Sequence, residues 1–262
     1  MSPSELLSKA AERGLTHILI TDHDTVSGYC VARNIMPEGM TLIPGIEISS
    51  RYKGRDLHML GYFIDVENQD LLDECSATRA RRRVATLKII DNLKAAGYDI
   101  SPEELESQEM EINRSNVARI MVDKGYAPDH DSAFDTFVGR RTPYYVDRDE
   151  MDSFLALELI LGAGGVPVIA HPAFYHVIDA IDPLMEKGLM GIECFHSEQT
   201  DEESNSLIEF AKERGLLITG GSDYHGDVVH PGALAEFQPP DECIDELFAF
   251  GAERGFDMGR LM

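Results

Sequence analysis

Thr16-His17-Ile18-Leu19-Ile20-Thr21-Asp22-His23-Asp24-Thr25 decides the fold. Its apolar run reads as a buried strand over 16–20, and it ends at once in Thr21-Asp22-His23-Asp24. The same grammar recurs three times downstream. Val166–Ala170 runs into His171-Pro172, Met190–Phe195 into His196, and Leu216–Thr219 into Gly220-Gly221-Ser222-Asp223-Tyr224-His225. Two more strands are expected over 40–48, bent by Pro44-Gly45 just before Glu47, and over 56–64, which carries His58. Helical spacing separates them. A first helix begins at Ser2-Pro3-Ser4-Glu5 and stops at Gly14, and others are expected over 25–36, 152–161, 175–187, 201–214 and 242–254. Repeated strand–helix units make this an α/β chain with mainly parallel strands, a barrel or a doubly wound sheet. Both architectures gather chemistry at the C-terminal ends of the strands.

The alternation lapses in the middle of the chain. From 66 to 148 the pattern is helical throughout, with helices expected over 68–96, 102–108, 115–124 and 130–137. The domain reading is therefore a β/α body made of 1–65 and 149–262, interrupted by a helical insertion over 66–148. Arg79, Arg81, Arg82 and Arg83 inside that insertion read as a solvated basic face.

The chain has 262 residues, 43% of them hydrophobic and 27% charged, an ordinary balance for a globular protein. Lys plus Arg number 23 against 47 Asp plus Glu, a net charge of −24. Such a surface repels nucleic acid and anionic membranes at long range and leaves no extended basic track for a polyanion. An anionic substrate in a local pocket stays compatible with it. No apolar run approaches the roughly 18 residues of a membrane helix, and the N-terminal segment lacks a signal-peptide pattern. Cys30, Cys75, Cys194 and Cys243 are scattered without a CxxC, which speaks against a disulfide scaffold and for a cytoplasmic address.

His23, His171, His196, Asp223 and His225 all follow a strand closely, so the topology brings them to one rim. Imidazoles and carboxylates together suit zinc, manganese, iron or magnesium. Asp223 and His225, two apart, project from one strand end. Glu47 has two oxygens and is placed to bridge ions, and close metal pairs clamp the attacking and leaving oxygens of phosphoryl transfer. His17, His130, His176 and His230 read as surface or capping histidines. Asp22 and Asp24 also suit the cap of the following helix, and His58 suits a satisfied core position.

Four segments then carry a family resemblance: Ile20-Thr21-Asp22-His23-Asp24-Thr25, Pro44-Gly45-Ile46-Glu47-Ile48-Ser49, Ile169-Ala170-His171-Pro172 and Gly221-Ser222-Asp223-Tyr224-His225-Gly226. In order and spacing they resemble the PHP (polymerase and histidinol phosphatase) family, and most closely its stand-alone metal-dependent phosphoesterases. The resemblance implies a distorted seven-stranded β/α barrel holding up to three divalent ions, whose activated water attacks a phosphate ester. It implies His23, Glu47, His58, His171, Asp223 and His225 as metal ligands, with His196 and Asp24 as catalytic residues. It further implies that insertion arginines hold substrate phosphate. Arg114 and Arg119 match best, then Arg140 and Arg141, and the arginine fork suits paired phosphate oxygens. The substrates implied are a 3′,5′-bisphosphate nucleotide or the 5′ end of an RNA.

The chain departs from the family at one place. The family's opening His-x-His strand and Ser-Asp-Gly turn have no counterpart, because Met1-Ser2-Pro3-Ser4 stands where that turn would end. The expectation is a barrel lacking its first strand, with the natural start further upstream. Glu47, His58 and His171 then make one whole metal position. Asp223 with Glu47, and His23 with His225, make two half-ligated ones, so fewer than three ions are expected. Two other readings stay open on the residues: a degenerate module that binds a nucleotide or a partner without turnover, and a related barrel hydrolase that cleaves amides.

Overall fold

A computed structural model describes residues 1–107, 111–226, 234 and 237–255. His230 lies outside the described residues. The chain divides into two compact units, one formed by 1–75 and 150–262, the other by 76–149.

The first unit is built on one six-stranded sheet in the order β1-β2-β3-β4-β5-β6. Helix α1 (Pro3–Glu12) opens it, started by a capping box in which Ser2 and Glu5 bond each other's backbone N–H. Strand β1 (His17–Ile20), helix α2 (Ser27–Ala32), and strands β2 (Thr41–Tyr52) and β3 (Arg55–Tyr62) follow. β2 changes partner at Pro44–Gly45, pairing with β1 through residues 41–44 and with β3 through residues 45–52. Gly45 is required there, since a Cβ would lie 2.9 Å from Thr21 Cγ2.

The sheet corrects one expectation. β2 and β3 form an antiparallel hairpin, and β3 pairs antiparallel with β4 (Val166–Ile169) as well. The cause is local: Lys53 and Gly54 take φ of +47° and +83°, the two-residue turn that matches strand twist. β1·β2, β4·β5 and β5·β6 are parallel, with β5 at Gly191–His196 and β6 at Leu217–Gly221. β1 and β6 are the edge strands among the described residues, and a cavity of about 990 Å³ lies between them, bordered also by α1.

The core of this unit packs Ile46, Ile48, Leu57 and Met59 of the hairpin against Leu157 and Ile160. The elements after the hairpin are α3 (Gln69–Ala95), which begins in this unit, then α4 (Pro102–Ser107), α5 (Arg114–Asp123) and α6 (His130–Ala133) in the second unit, then α7 (Ser153–Gly162). The second unit has its own core, where Ile89, Leu93, Leu105, Val117, Met121 and Phe137 pack together. Within it Arg82 is buried rather than solvated, and Arg83 is the exposed member of the basic group. After β4 the expected helix over 175–187 is short: a turn through Phe174–His176 delays it to a 3₁₀ turn at Ile178–Ala180 and α8 at Ile181–Met185. His176 at φ +52° interrupts the helical path. α9 (Asp201–Arg214) carries a Thr200–Glu203 capping box and ends on Gly215, and α10 (Asp241–Glu253) closes the described chain. No helix among the described residues is long and apolar enough to cross a membrane.

Candidate metal centre

The backbone places each side chain before any side chain interacts. Beyond β1, Asp22–Asp24 rides along β2: Glu47 N–H donates to Asp22 O at 3.3 Å, and Asp24 N–H donates to Glu47 O at 2.8 Å. His23 therefore stands beside Glu47 as a parallel bridge pair. Asp24 is fully buried at φ +55°, and its Oδ1 accepts the Ser49 N–H at 2.9 Å. His58 comes from β3, opposite Ser49. His171 follows β4 at φ +31°, and Asp223 follows β6 at φ +47°. Left-handed backbone at non-glycine residues costs about 1–3 kcal/mol each and clusters at functional sites.

β5 contributes through an irregularity. A bulge between Glu193 and Phe195 inserts an extra residue, and both Glu193 and His196 end up buried. Bulges re-aim side chains in this way beside active sites.

The side chains form a closed circuit. His225 and His23 rings lie 5.7 Å apart, His23 and His58 4.9 Å, His58 and His171 5.2 Å, and His171 and His196 5.5 Å. His196 Nε2 is 3.5 Å from Asp223 Oδ2, and Asp223 Oδ1 is 3.5 Å from His225 Nδ1. Glu47 reaches three members: Oε1 lies 2.7 Å from His58 Nδ1 and 3.4 Å from His171 Nε2, and Oε2 lies 3.8 Å from His23 Nδ1. One ligand atom each of His23, Glu47 and His58 falls within 4.8 Å of the others.

The electrostatics follow from that crowding. Burial pushes the Glu47 carboxyl up, but His23, His58 and His171 outweigh it and hold it well below the usual carboxylate range. Burial pushes His171 down, and the hydrogen bond and charge of Glu47 more than reverse this. Burial raises Glu193 to about 7, and the charges of His171 and His196 with the hydrogen bond from the His171 backbone only partly offset it.

The donor set fits a divalent cation. His171 Nδ1 is buried without a hydrogen-bond partner, and His58 Nδ1 faces Glu47 without hydrogen-bond alignment. The His225 Nδ1–H can donate to Asp223 O at 2.7 Å, the arrangement that leaves the other ring nitrogen as a ligand. His196 differs. Its Nδ1 accepts the Glu198 N–H at 3.2 Å, so in the neutral ring the proton sits on Nε2, facing Asp223. That geometry suits hydrogen-bond donation better than ligation.

Comparison with known proteins then decides the family. No protein-family model matches the chain. The chain is 31% identical over 233 residues to phosphoribosyl 1,2-cyclic phosphate 1,2-diphosphodiesterase of Eggerthella lenta, covering 85% of this chain and 87% of that protein. It superposes with a TM-score of 0.87 and 28% identity on a metal-dependent phosphoesterase candidate of Bifidobacterium adolescentis, covering 98% of this chain and 92% of that one. The chain belongs to the PHP family of metal-dependent phosphoesterases. It is 30% identical to the 5′-3′ exoribonuclease of Haemophilus influenzae, covering 86% and 85% of the two chains. It is 28% identical to the 3′,5′-nucleoside bisphosphate phosphatase of Chromobacterium violaceum, covering 86% and 82%. This PHP protein is a hydrolase of phosphate esters.

The sequence-derived residues fall into two groups. His23, Glu47, His58, His171, His196, Asp223 and His225 meet in the first unit, with Asp24 beneath them. Arg114, Arg119, Arg140 and Arg141 belong to the second unit. There the Arg114 guanidinium lies 5.2 Å from the Phe134 ring and 5.6 Å from that of Tyr145, and Arg140 lies 5.4 Å from Tyr145. Arg119 approaches Asp123 at 3.9 Å, and Arg141 is exposed.

Two residues of the PHP site escaped the sequence. Tyr175 packs edge-on against His58 at 5.0 Å and His171 at 5.1 Å. Glu193 is a carboxylate in an otherwise apolar strand, Gly191-Ile192-Glu193-Cys194-Phe195. That misfit was its available signal.

Proposed function

We propose that this PHP hydrolase cleaves a nucleotide phosphate ester, releasing the 3′-phosphate of a 3′,5′-bisphosphate nucleotide first and mononucleotides from the 5′ end of an RNA second. The observation that carries the reading is the closed circuit around Glu47, whose nitrogen and oxygen donors come from all six strands, four of them from strand ends, and suit divalent ions.

Glu47, His58 and His171 would hold one ion. Glu47 with Asp223, and His23 with His225, would hold others less completely, with manganese, zinc, iron and magnesium all compatible. Bound ions of this kind neutralise phosphoryl oxygens and acidify water. The chain's own groups do the rest. His196 carries its proton on Nε2 facing Asp223 and donates a hydrogen bond from there to a substrate oxygen. Asp24 acts as a positioning residue, since its hydrogen bonds to β2 keep His23 beside Glu47. Phe174, 58% exposed, stacks edge-on to His171 and Tyr175 and offers a nucleobase an apolar face at the rim. Arg114, Arg119, Arg140 and Arg141 are the proposed phosphate-binding arginines. Tyr145 already orients two of them.

The net charge of −24 supports a small substrate over a long RNA. β1 and β6 run in the same direction on either side of the cavity, which supports a seven-stranded barrel with one strand position left between them. We assign 1–65 and 149–262 to that barrel, 66–148 to the insertion, and a cytoplasmic address in keeping with four free cysteines.

The test is hydrolysis by the manganese-loaded protein. A 3′,5′-bisphosphate nucleotide, a 5′-phosphorylated oligoribonucleotide and a cyclic ribose phosphate are compared for release of inorganic phosphate, mononucleotide or ring-opened product. Phosphate release from the bisphosphate is expected to be fastest. No turnover of any of the three would refute the proposal.

A further inference from the structure

We propose that Glu193 is a positioning residue that locks the backbone of His171 so that its imidazole meets Glu47. The inference rests on the reading of His171 as a metal ligand and adds a residue to it.

The argument starts from the end of a ladder. Ala170 N–H still finds a strand partner, donating to His58 O at 3.0 Å. At His171 the chain turns to φ +31°, and the β4·β5 pairing has already ended at Ile169↔Ile192. The His171 N–H is thus buried with no carbonyl opposite it. A buried donor left unsatisfied is expensive, and for a left-handed histidine the expense would add to backbone strain. Glu193 Oε2 accepts that N–H at 2.9 Å.

The neighbours leave room for this carboxylate. Gly221 on β6 faces it, and a Cβ there would stand 3.5 Å from Glu193 Oε1. The bulge after Glu193 also brings His196 round to the circuit, so one irregularity of β5 serves two neighbouring histidines. Among the described residues, no other acceptor holds the His171 backbone N–H. Its ring, by contrast, is 3.4 Å from Glu47 Oε1. The lock on the main chain sets the aim of the side chain, as outer partners of metal-binding histidines generally do.

The experiment is calorimetric titration of the metal-stripped full chain with Zn²⁺, with thermal melting of the same samples. Glu193→Ala is expected to weaken the tightest site by about 10–100-fold. Glu193→Gln, whose amide oxygen still accepts the N–H, should stay within a few-fold of the parent. In the His171→Ala background, Glu193→Ala should cost no further affinity. A lowered melting temperature with unchanged Zn²⁺ affinity would show a merely structural role and overturn the proposal. So would equal loss in Gln and Ala, or additive loss on His171→Ala. If Glu193→Ala does not fold, Glu193→Asp, one methylene short of the N–H, takes its place. Unchanged affinity in His171→Ala alone would instead overturn the ligand reading on which this rests.

Discussion

Replacing Glu47 by glutamine separates a metal site from a polar core. The side chain is 4% exposed and reaches His58, His171 and His23 at 2.7, 3.4 and 3.8 Å. The amide keeps the shape and removes the charge. An ion bound among these atoms would sit within about 4 Å of the carboxylate, and opposite unit charges at that distance interact by about 4 kcal/mol at an effective dielectric of about 20. A divalent ion doubles this to about 8 kcal/mol. Burying the carboxylate costs several kcal/mol, and glutamine avoids most of that. The net loss is about 4 kcal/mol, a rise in Kd of roughly a thousandfold. The metal-free protein should respond differently, because removing a buried charge offsets the loss of its imidazole contacts. Its melting temperature should move by less than about 4 °C, equivalent to about 1 kcal/mol in a chain of this size. Titration with Mn²⁺ or Zn²⁺ alongside thermal melting with and without chelator reads both quantities. Metal affinity within threefold of the parent would refute the reasoning. So would a collapse of metal-free stability with no selective effect on binding.

Further outcomes follow from the same geometry. Phe174→Ala should raise KM for a nucleotide by about 5–150-fold, the value of one lost base–aromatic stack, and leave KM for a baseless ribose phosphate unchanged; equal effects on both would remove Phe174 from base recognition. Gly191→Ala should destabilise the protein by about 1–3 kcal/mol, because the new Cβ would lie 2.8 Å from Leu217 O and 3.0 Å from Leu217 Cβ; chemical denaturation checks this, and an unchanged midpoint would contradict it. The pH dependence of stability should reverse on metal removal. Burial lowers the His171 pKa, and Glu47 raises it further, to about 9. In the metal-free protein that pairing is therefore fully present below the unfolded histidine value of about 6.5 and is lost as pH rises through about 9. Ligands must shed protons to bind metal, so the loaded protein should gain stability over the same interval. Parallel melting curves at pH 6.5 and pH 9, with and without chelator, decide it.

The parts of this molecule that could be read in advance are those where a local pattern and a long-range constraint coincide. Ile18-Leu19-Ile20 has to be a buried strand, and a buried strand that stops at Asp22-His23-Asp24 has to present those groups at a sheet end. The hairpin was less visible. Lys53-Gly54 is a turn signal, but strand–helix repetition elsewhere favoured parallel pairing, and two residues outweighed that prior through backbone sterics. Arg82 looked solvated among four basic residues and is buried, since a long arginine stem can lie along an apolar surface.

Glu193 shows where pattern reading ends. Strict alternation along β5 assigns Glu193 and His196 to opposite faces, since they are three residues apart. The bulge at Cys194 cancels that assignment, and nothing in the residues around it announces a bulge. The circuit depends on this. Without the extra residue, His196 would turn away from Asp223, and the ring of contacts from His171 round to His225 would be broken at one link. The histidines and carboxylates that look sufficient in the sequence are thus completed by backbone irregularities: left-handed turns at Asp24, His171 and Asp223 and one bulge. Each is unfavourable alone, and two of them have a buried partner that holds them. Asp24 has its bonds to β2, and His171 has Glu193. On this argument the residues that touch no substrate are as necessary to the site as those that do, because they keep a strained main chain from relaxing out of register with its ligands.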